Sequence, residues 1–68
     1  MKILTLEQTD AREVKIVASA ITAVAKIEIS ETHSVLDVHC VVTSYNVTDT
    51  HEVIKDTYDA LIAELKSL

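Results

Sequence analysis

Residues 10–24 read Asp10-Ala11-Arg12-Glu13-Val14-Lys15-Ile16-Val17-Ala18-Ser19-Ala20-Ile21-Thr22-Ala23-Val24, and two local structures compete for them. As a helix, Asp10 and Glu13 have capping-box spacing, and Val14, Val17, Ile21 and Val24 fall on one side. The interspersed alanines favour that state. As strands, Glu13 to Val17 alternates, Ala18-Ser19-Ala20 makes a short corner, and Ile21-Thr22-Ala23-Val24 opens a further strand. Propensity alone leans slightly to the helix, and both readings stand.

The segments that follow are less divided. Ala25, Ile27 and Ile29 alternate with Lys26, Glu28 and Ser30, which is a strand pattern. Ser30-Glu31-Thr32-His33-Ser34 reads as a polar hairpin loop; without glycine a tight type I′ turn is disfavoured, so a longer connection is expected. From Val35 to Thr43 a second clear strand alternates, with Leu36, Val38, Cys40 and Val42 forming one apolar row. Thr43, Ser44, Asn46 and Thr48 read as turn and cap chemistry. Beyond Asp49, the residues Val53, Ile54, Tyr58, Leu61, Ile62, Leu65 and Leu68 make the stripe of an amphipathic helix. Asp49 with Glu52 has capping-box spacing, and acidic residues early with Lys66 late suit the helix dipole. The apolar row of the Val35 strand is the natural seat for that stripe.

Composition narrows the functional classes. The 68 residues contain no glycine and no proline, although average usage predicts about five and three. This excludes the P-loop, the dinucleotide fingerprint, the EF-hand and collagen-like or Pro-rich segments, each of which needs those backbone geometries. One cysteine leaves no intrachain disulfide and no Cys-rich zinc module. A lone thiol suits a reducing compartment, so a cytoplasmic location in a bacterial or phage-infected cell is expected. The net charge of −5, with one arginine and scattered lysines, argues against nucleic acid as a partner, because phosphate binding relies on clustered Lys and Arg. No apolar run reaches membrane-span length, and the opening residues alternate rather than resemble a signal peptide. The chain makes one domain, and a core this small supplies about 3–5 kcal/mol at most. Association with copies of itself or with another protein is the expected source of further burial.

Ile3-Leu4-Thr5-Leu6, the sequence Val14, Ile16, Val17 followed by Ile21 and Val24, and Tyr45-x-Val47-x-Asp49 running into Glu52-Val53 together resemble the FlbD family of small flagellar-operon proteins. Where that family has an Asn-Pro-type corner and a turn glycine, this chain has Ala18-Ser19-Ala20 and Thr43-Ser44. The resemblance implies a short meander followed by one helix, which selects the strand reading of Glu13 to Val24. It also implies a flagellar accessory role.

Few residues suggest chemistry. Asp37 and His39 share one strand face while Cys40 faces the other way, so no Cys-His nucleophile pair forms and Cys40 reads as a small core hydrophobe. His33, His39 and His51 have no recognised zinc spacing. Glu52, Asp56 and Asp59 read as a solvated helix face, since paired acid/base carboxylates need a cleft with divergent environments. No catalytic residue, metal or cofactor is expected. The candidate ligand or partner contacts are Arg12, Asp37, His39, Tyr45 and Asn46. Val17, Val24, Val35 and Val41 are expected on the sheet face away from the helix, as an oligomer face.

The expected fold is therefore α+β: an antiparallel meander of four or five short strands, at about 2–7, 13–17, 21–30 and 35–43, with one helix over about 50–67 packed on one face. The expected function is that of a small non-enzymatic oligomeric protein that binds and modulates another protein. Two alternatives differ in class: a phage-encoded sponge holding a nucleotide immune signal between subunits, and a FlbD-like flagellar accessory protein.

Overall fold

The computed structural model describes residues 2–7 and 12–67. In chain order it has β1 (Ile3–Glu7), β2 (Glu13–Val17), a 3-10 turn (Ala18–Ala20), β3 (Ile21–Glu28), β4 (His33–Cys40), β5 (Ser44–Thr50) and α1 (His51–Lys66). All strand pairs are antiparallel: β1 and β2 form a two-stranded ribbon, and β3, β4 and β5 a three-stranded sheet in that order. This is an α+β meander closed by one helix.

The contested segment is strand, corner, strand. In the ribbon Leu4 lies opposite Ile16 and Leu6 opposite Val14, so these four share a face. Leu6 and Ile16 are buried in the core with Leu36, Val38, Val47 and Ile54. A helix would splay Val14 and Ile16 onto different sides; tertiary burial overrides the small alanine preference. The corner needs no glycine, because Val17 (φ −69°) and Ile21 (φ −77°) keep ordinary extended geometry. Ala18 N–H donates to Lys2 O at 2.9 Å, and Ala18 is almost wholly buried. A small side chain is what lets the chain fold back so closely. Asp10, the other half of the capping-box reading, lies outside the described residues.

Within the sheet, Leu36 lies opposite Lys26 and Val47, and Val38 opposite Val24 and Tyr45. That face receives α1. Leu36, Val38 and Ile54 are each fully buried, with Tyr58 and Leu61 packed against the cluster. Thr50 caps the helix: its Oγ1 accepts from Val53 N–H at 3.4 Å, while Asp49 Oδ1 accepts from Thr50 N–H at 2.7 Å. His51 N–H donates to Thr32 O at 3.1 Å, tying the helix start to the β3–β4 loop. Glu52 in the first turn and Lys66 in the last match the dipole.

Several boundaries differ from expectation. Residues 44–50, expected as turn and cap, are β5, because Tyr45 and Val47 face the helix while Ser44, Asn46 and Thr48 face away. The cap is accordingly Thr50 rather than Asp49. β4 starts at His33 and stops at Cys40, where Cys40 N–H closes a turn on Thr43 O at 2.8 Å. Val42, expected in the apolar row, is 90% exposed in that turn. β3 stops at Glu28 rather than Ser30, and Ile27 and Ile29 stand in solvent because the register with β4 turns Val24 and Lys26 toward the helix. Lys26 tolerates that position by laying its ammonium 4.8 Å from the centroid of the Tyr58 ring. Val53, placed in the helix stripe, is half exposed, and Leu68 lies outside the described residues.

Truncating Leu36→Ala is expected to cost about 2–5 kcal/mol, enough to unfold much of a domain this small, whereas Val42→Ala is expected to stay within about 0.5 kcal/mol of the parent. Urea titration followed by circular dichroism separates the two outcomes.

Candidate interaction surface

Among the described residues the sheet is covered on one side only. Opposite the helix, the register puts Ala25 and Ile27 of β3, Val35, Asp37 and His39 of β4, and Asn46 of β5 on a common outer face. Its β3 side is aliphatic, with Ile27 52% exposed and Val35 half-buried beside it. Its β5 side is polar. Asn46, with its amide oriented to satisfy both bonds, donates to Asp37 Oδ1 at 2.5 Å and to Tyr45 O at 3.1 Å. His39 Nδ1 shares a hydrogen bond with Ser44 Oγ at 3.2 Å.

Three of the expected contact residues are thus brought together: Asp37, His39 and Asn46. The other two are not. Tyr45 sits opposite Val38 and packs against the core, because strand parity puts it on the helix side. Arg12 is exposed just ahead of β2, on the ribbon. The four valines expected as one oligomer face are also separated. Val35 alone lies on the outer face; Val24 packs against the core, Val41 is 71% exposed in the β4–β5 turn, and Val17 pairs with Ile3 on the ribbon. Ile27 and Ile29, which carry the exposed aliphatic area, are visible in sequence only as one row of an alternating strand. Pairing with β4 settles which row faces out.

Elsewhere among the described residues, hollows lie against the helix. One, of about 560 Å³, is lined by Lys26, Ile27, Glu28, Ser34, His51 and Lys55 beside the start of α1. Its polar groups hold one another: buried Ser34 Oγ lies 2.5 Å from His51 Nδ1, and His51 Nε2 lies 3.6 Å from Glu28 Oε2. Lys55 Nζ donates to Asp59 Oδ2 at 3.2 Å, and this hydrogen bond and charge raise the Lys55 pKa, with a smaller contribution from Asp56. The other hollow, of about 340 Å³, lies between β1 and α1 over Leu6, Ile16, Val38 and Leu61. Lys2 spans its rim, pairing with Glu64 Oε2 at 2.5 Å and donating to Ser67 Oγ at 2.8 Å.

The Ser44 hydroxyl and His39 imidazole meet on an open strand face, and the nearby Asp37 carboxylate is engaged by Asn46, so they are not arranged as a nucleophile, base and orienting acid. Among the described residues no group of three or more His, Cys, Asp or Glu is placed to hold a metal ion, and no helix is long and apolar enough to cross a membrane. No known protein family, curated protein or solved structure matches the chain.

Replacing Asn46→Asp sets two carboxylates directly opposite each other and removes the bond to Asp37. A loss of about 1–2 kcal/mol is expected from the lost bond and the like-charge pair together, read as a lower thermal midpoint, with Asn46→Ser intermediate.

Proposed function

We propose that this chain is a small non-enzymatic interaction protein that assembles with copies of itself and binds and modulates another protein through the open face of its sheet. The observation that carries this reading is the one-sided sheet, whose outer face joins exposed Ile27 and half-buried Val35 to the Asp37–Asn46 pair. The small core supports it, since a domain of this size gains from further burial. A flagellar setting is the one the FlbD resemblance implies, and a meander closed by one helix accords with that layout. Gene neighbourhood tests it.

A second reading has its own observation. The hollow lined by Lys26, Ser34, His51 and Lys55 gathers cationic and hydroxyl groups beside a helix start in an otherwise acidic chain, which suits a nucleotide or other small anion. A phage-encoded sponge for a nucleotide signal is the corresponding role. It requires an anion to displace Glu28 from His51 and Asp59 from Lys55.

Native mass spectrometry, affinity capture and thermal shift divide these readings. The interaction reading expects a mass above that of the monomer, and a captured protein that Val35→Lys or, at the exposed His39, His39→Glu releases while the thermal midpoint stays within a few degrees. A monomer whose captured proteins are indifferent to those substitutions overturns it. The sponge reading expects a nucleotide to stabilise the chain by about 2.7 kcal/mol at a hundredfold excess over Kd, with the effect abolished in Lys26→Ala/Lys55→Ala.

A further inference from the structure

We infer that the free edge of β3 is the self-association site, and that a second copy pairs with it antiparallel about Ile27, joining two three-stranded sheets into one of six strands. This rests on the reading that the chain assembles through its sheet and specifies which part of the sheet does so.

β3 runs for eight residues, longer than the other edge strand, β5, which has seven. Among the described residues β3 has β4 on one side and no strand on the other. From Ala23 to Glu28 its register is regular, the one irregularity lying between Ile21 and Ala23. It carries no proline or bulge over that stretch, the usual devices that blunt an edge. Lysine is another such device, but the Lys26 ammonium is drawn 4.8 Å from the centroid of the Tyr58 ring, on the helix side.

The ladder with β4 decides which backbone groups face outward. Ile29 N–H donates to His33 O at 3.1 Å, and bonded pairs alternate with non-bonded ones along an antiparallel ladder. Ile27 and Ala25 therefore bond to Val35 and Asp37. Val24, Lys26 and Glu28 direct their N–H and C=O groups to the open edge.

Side chains then select the register. A two-fold axis perpendicular to the sheet keeps both helices on one side and sets residues of like face opposite each other. Centred on Ile27, it places Lys26 opposite the partner's Glu28 and Glu28 opposite the partner's Lys26, each pair exchanging main-chain bonds through the outward groups. On the outer face Ile27 meets the partner's Ile27, and Ala25 meets the partner's Ile29. Exposed isoleucines that stand 52% and 56% in solvent are covered. Shifting the centre by one residue brings Lys26 opposite Lys26 or Glu28 opposite Glu28, and like charges directly opposite are destabilising. The Ile27 register alone makes both cross-strand charge pairs favourable.

Charge exchange in the full-length chain tests this, with mass measured by light scattering and native mass spectrometry. The parent is expected to be a dimer. Lys26→Glu makes all four facing charges negative, and Glu28→Lys makes them all positive, so each variant alone is expected to dimerise at least about tenfold more weakly. Mixed in equal amounts, the two should form a heterodimer, because the wholly acidic edge of one variant then faces the wholly basic edge of the other; the double variant Lys26→Glu/Glu28→Lys should regain the parent's dimer. Circular dichroism on each variant guards against loss of fold, and recovery on mixing excludes it as the cause. A monomeric parent overturns both this site and self-assembly. A dimer that both single variants form as well as the parent, or single variants that stay monomeric when mixed, overturns the β3 edge while leaving assembly through the outer face standing.

Discussion

The fold depends on the closure of Ile54 over Leu36 and Val38. β4 is the central strand of its sheet, and these three side chains are withdrawn entirely from solvent. Because strand side chains alternate with period two, slipping β4 by one residue would put Asp37 and His39 under the helix in their place. The cost of burying a carboxylate there makes the observed register compulsory. Both faces follow from it: on the outer one Asp37 meets Asn46 and Ile27 points to solvent, and on the helix side Lys26 reaches the Tyr58 ring.

The absence of glycine and proline shapes the connections. Where another chain would turn on a residue with positive φ, this one folds back through Ala18, Ser19 and Ala20 with extended geometry on either side. Between β3 and β4 the turn is stabilised by Ser30 Oγ, which accepts from Thr32 N–H at 3.3 Å and His33 N–H at 3.0 Å. Hydroxyl chemistry thus replaces glycine geometry. The core enclosed by these turns is small, and the protein's surface keeps aliphatic area that a larger domain would have covered.

Much of this is legible in the residues, and the failures have physical causes. The helix is readable because its stripe recurs over several turns. β5 escapes a reading of the sequence, since Tyr45 and Val47 are its only large apolar residues and Asn46, Thr48 and Asp49 favour turns when isolated. Val41 and Val42 look like the continuation of a strand because hydrophobic residues rarely tip a turn, yet the chain reverses there. Asp37, His39 and Asn46 are recognisable as surface residues and do share one face. Tyr45, grouped with them by proximity in sequence, falls on the other side by parity once β5 is a strand.

Sequence by itself determined the fold class: α+β, helix last, with Leu36 and Val38 as the inward row of β4, because alternation and helical periodicity are local and strong there. It also determined what the chain lacks, since glycine-dependent sites need glycine. Tertiary structure alone decided residues 13–24, where a weak helix preference yields to the joint burial of Leu6 and Ile16. It likewise decided which row of β3 faces solvent and which backbone groups line the open edge, because both are properties of pairing between strands and neither is carried by a strand alone.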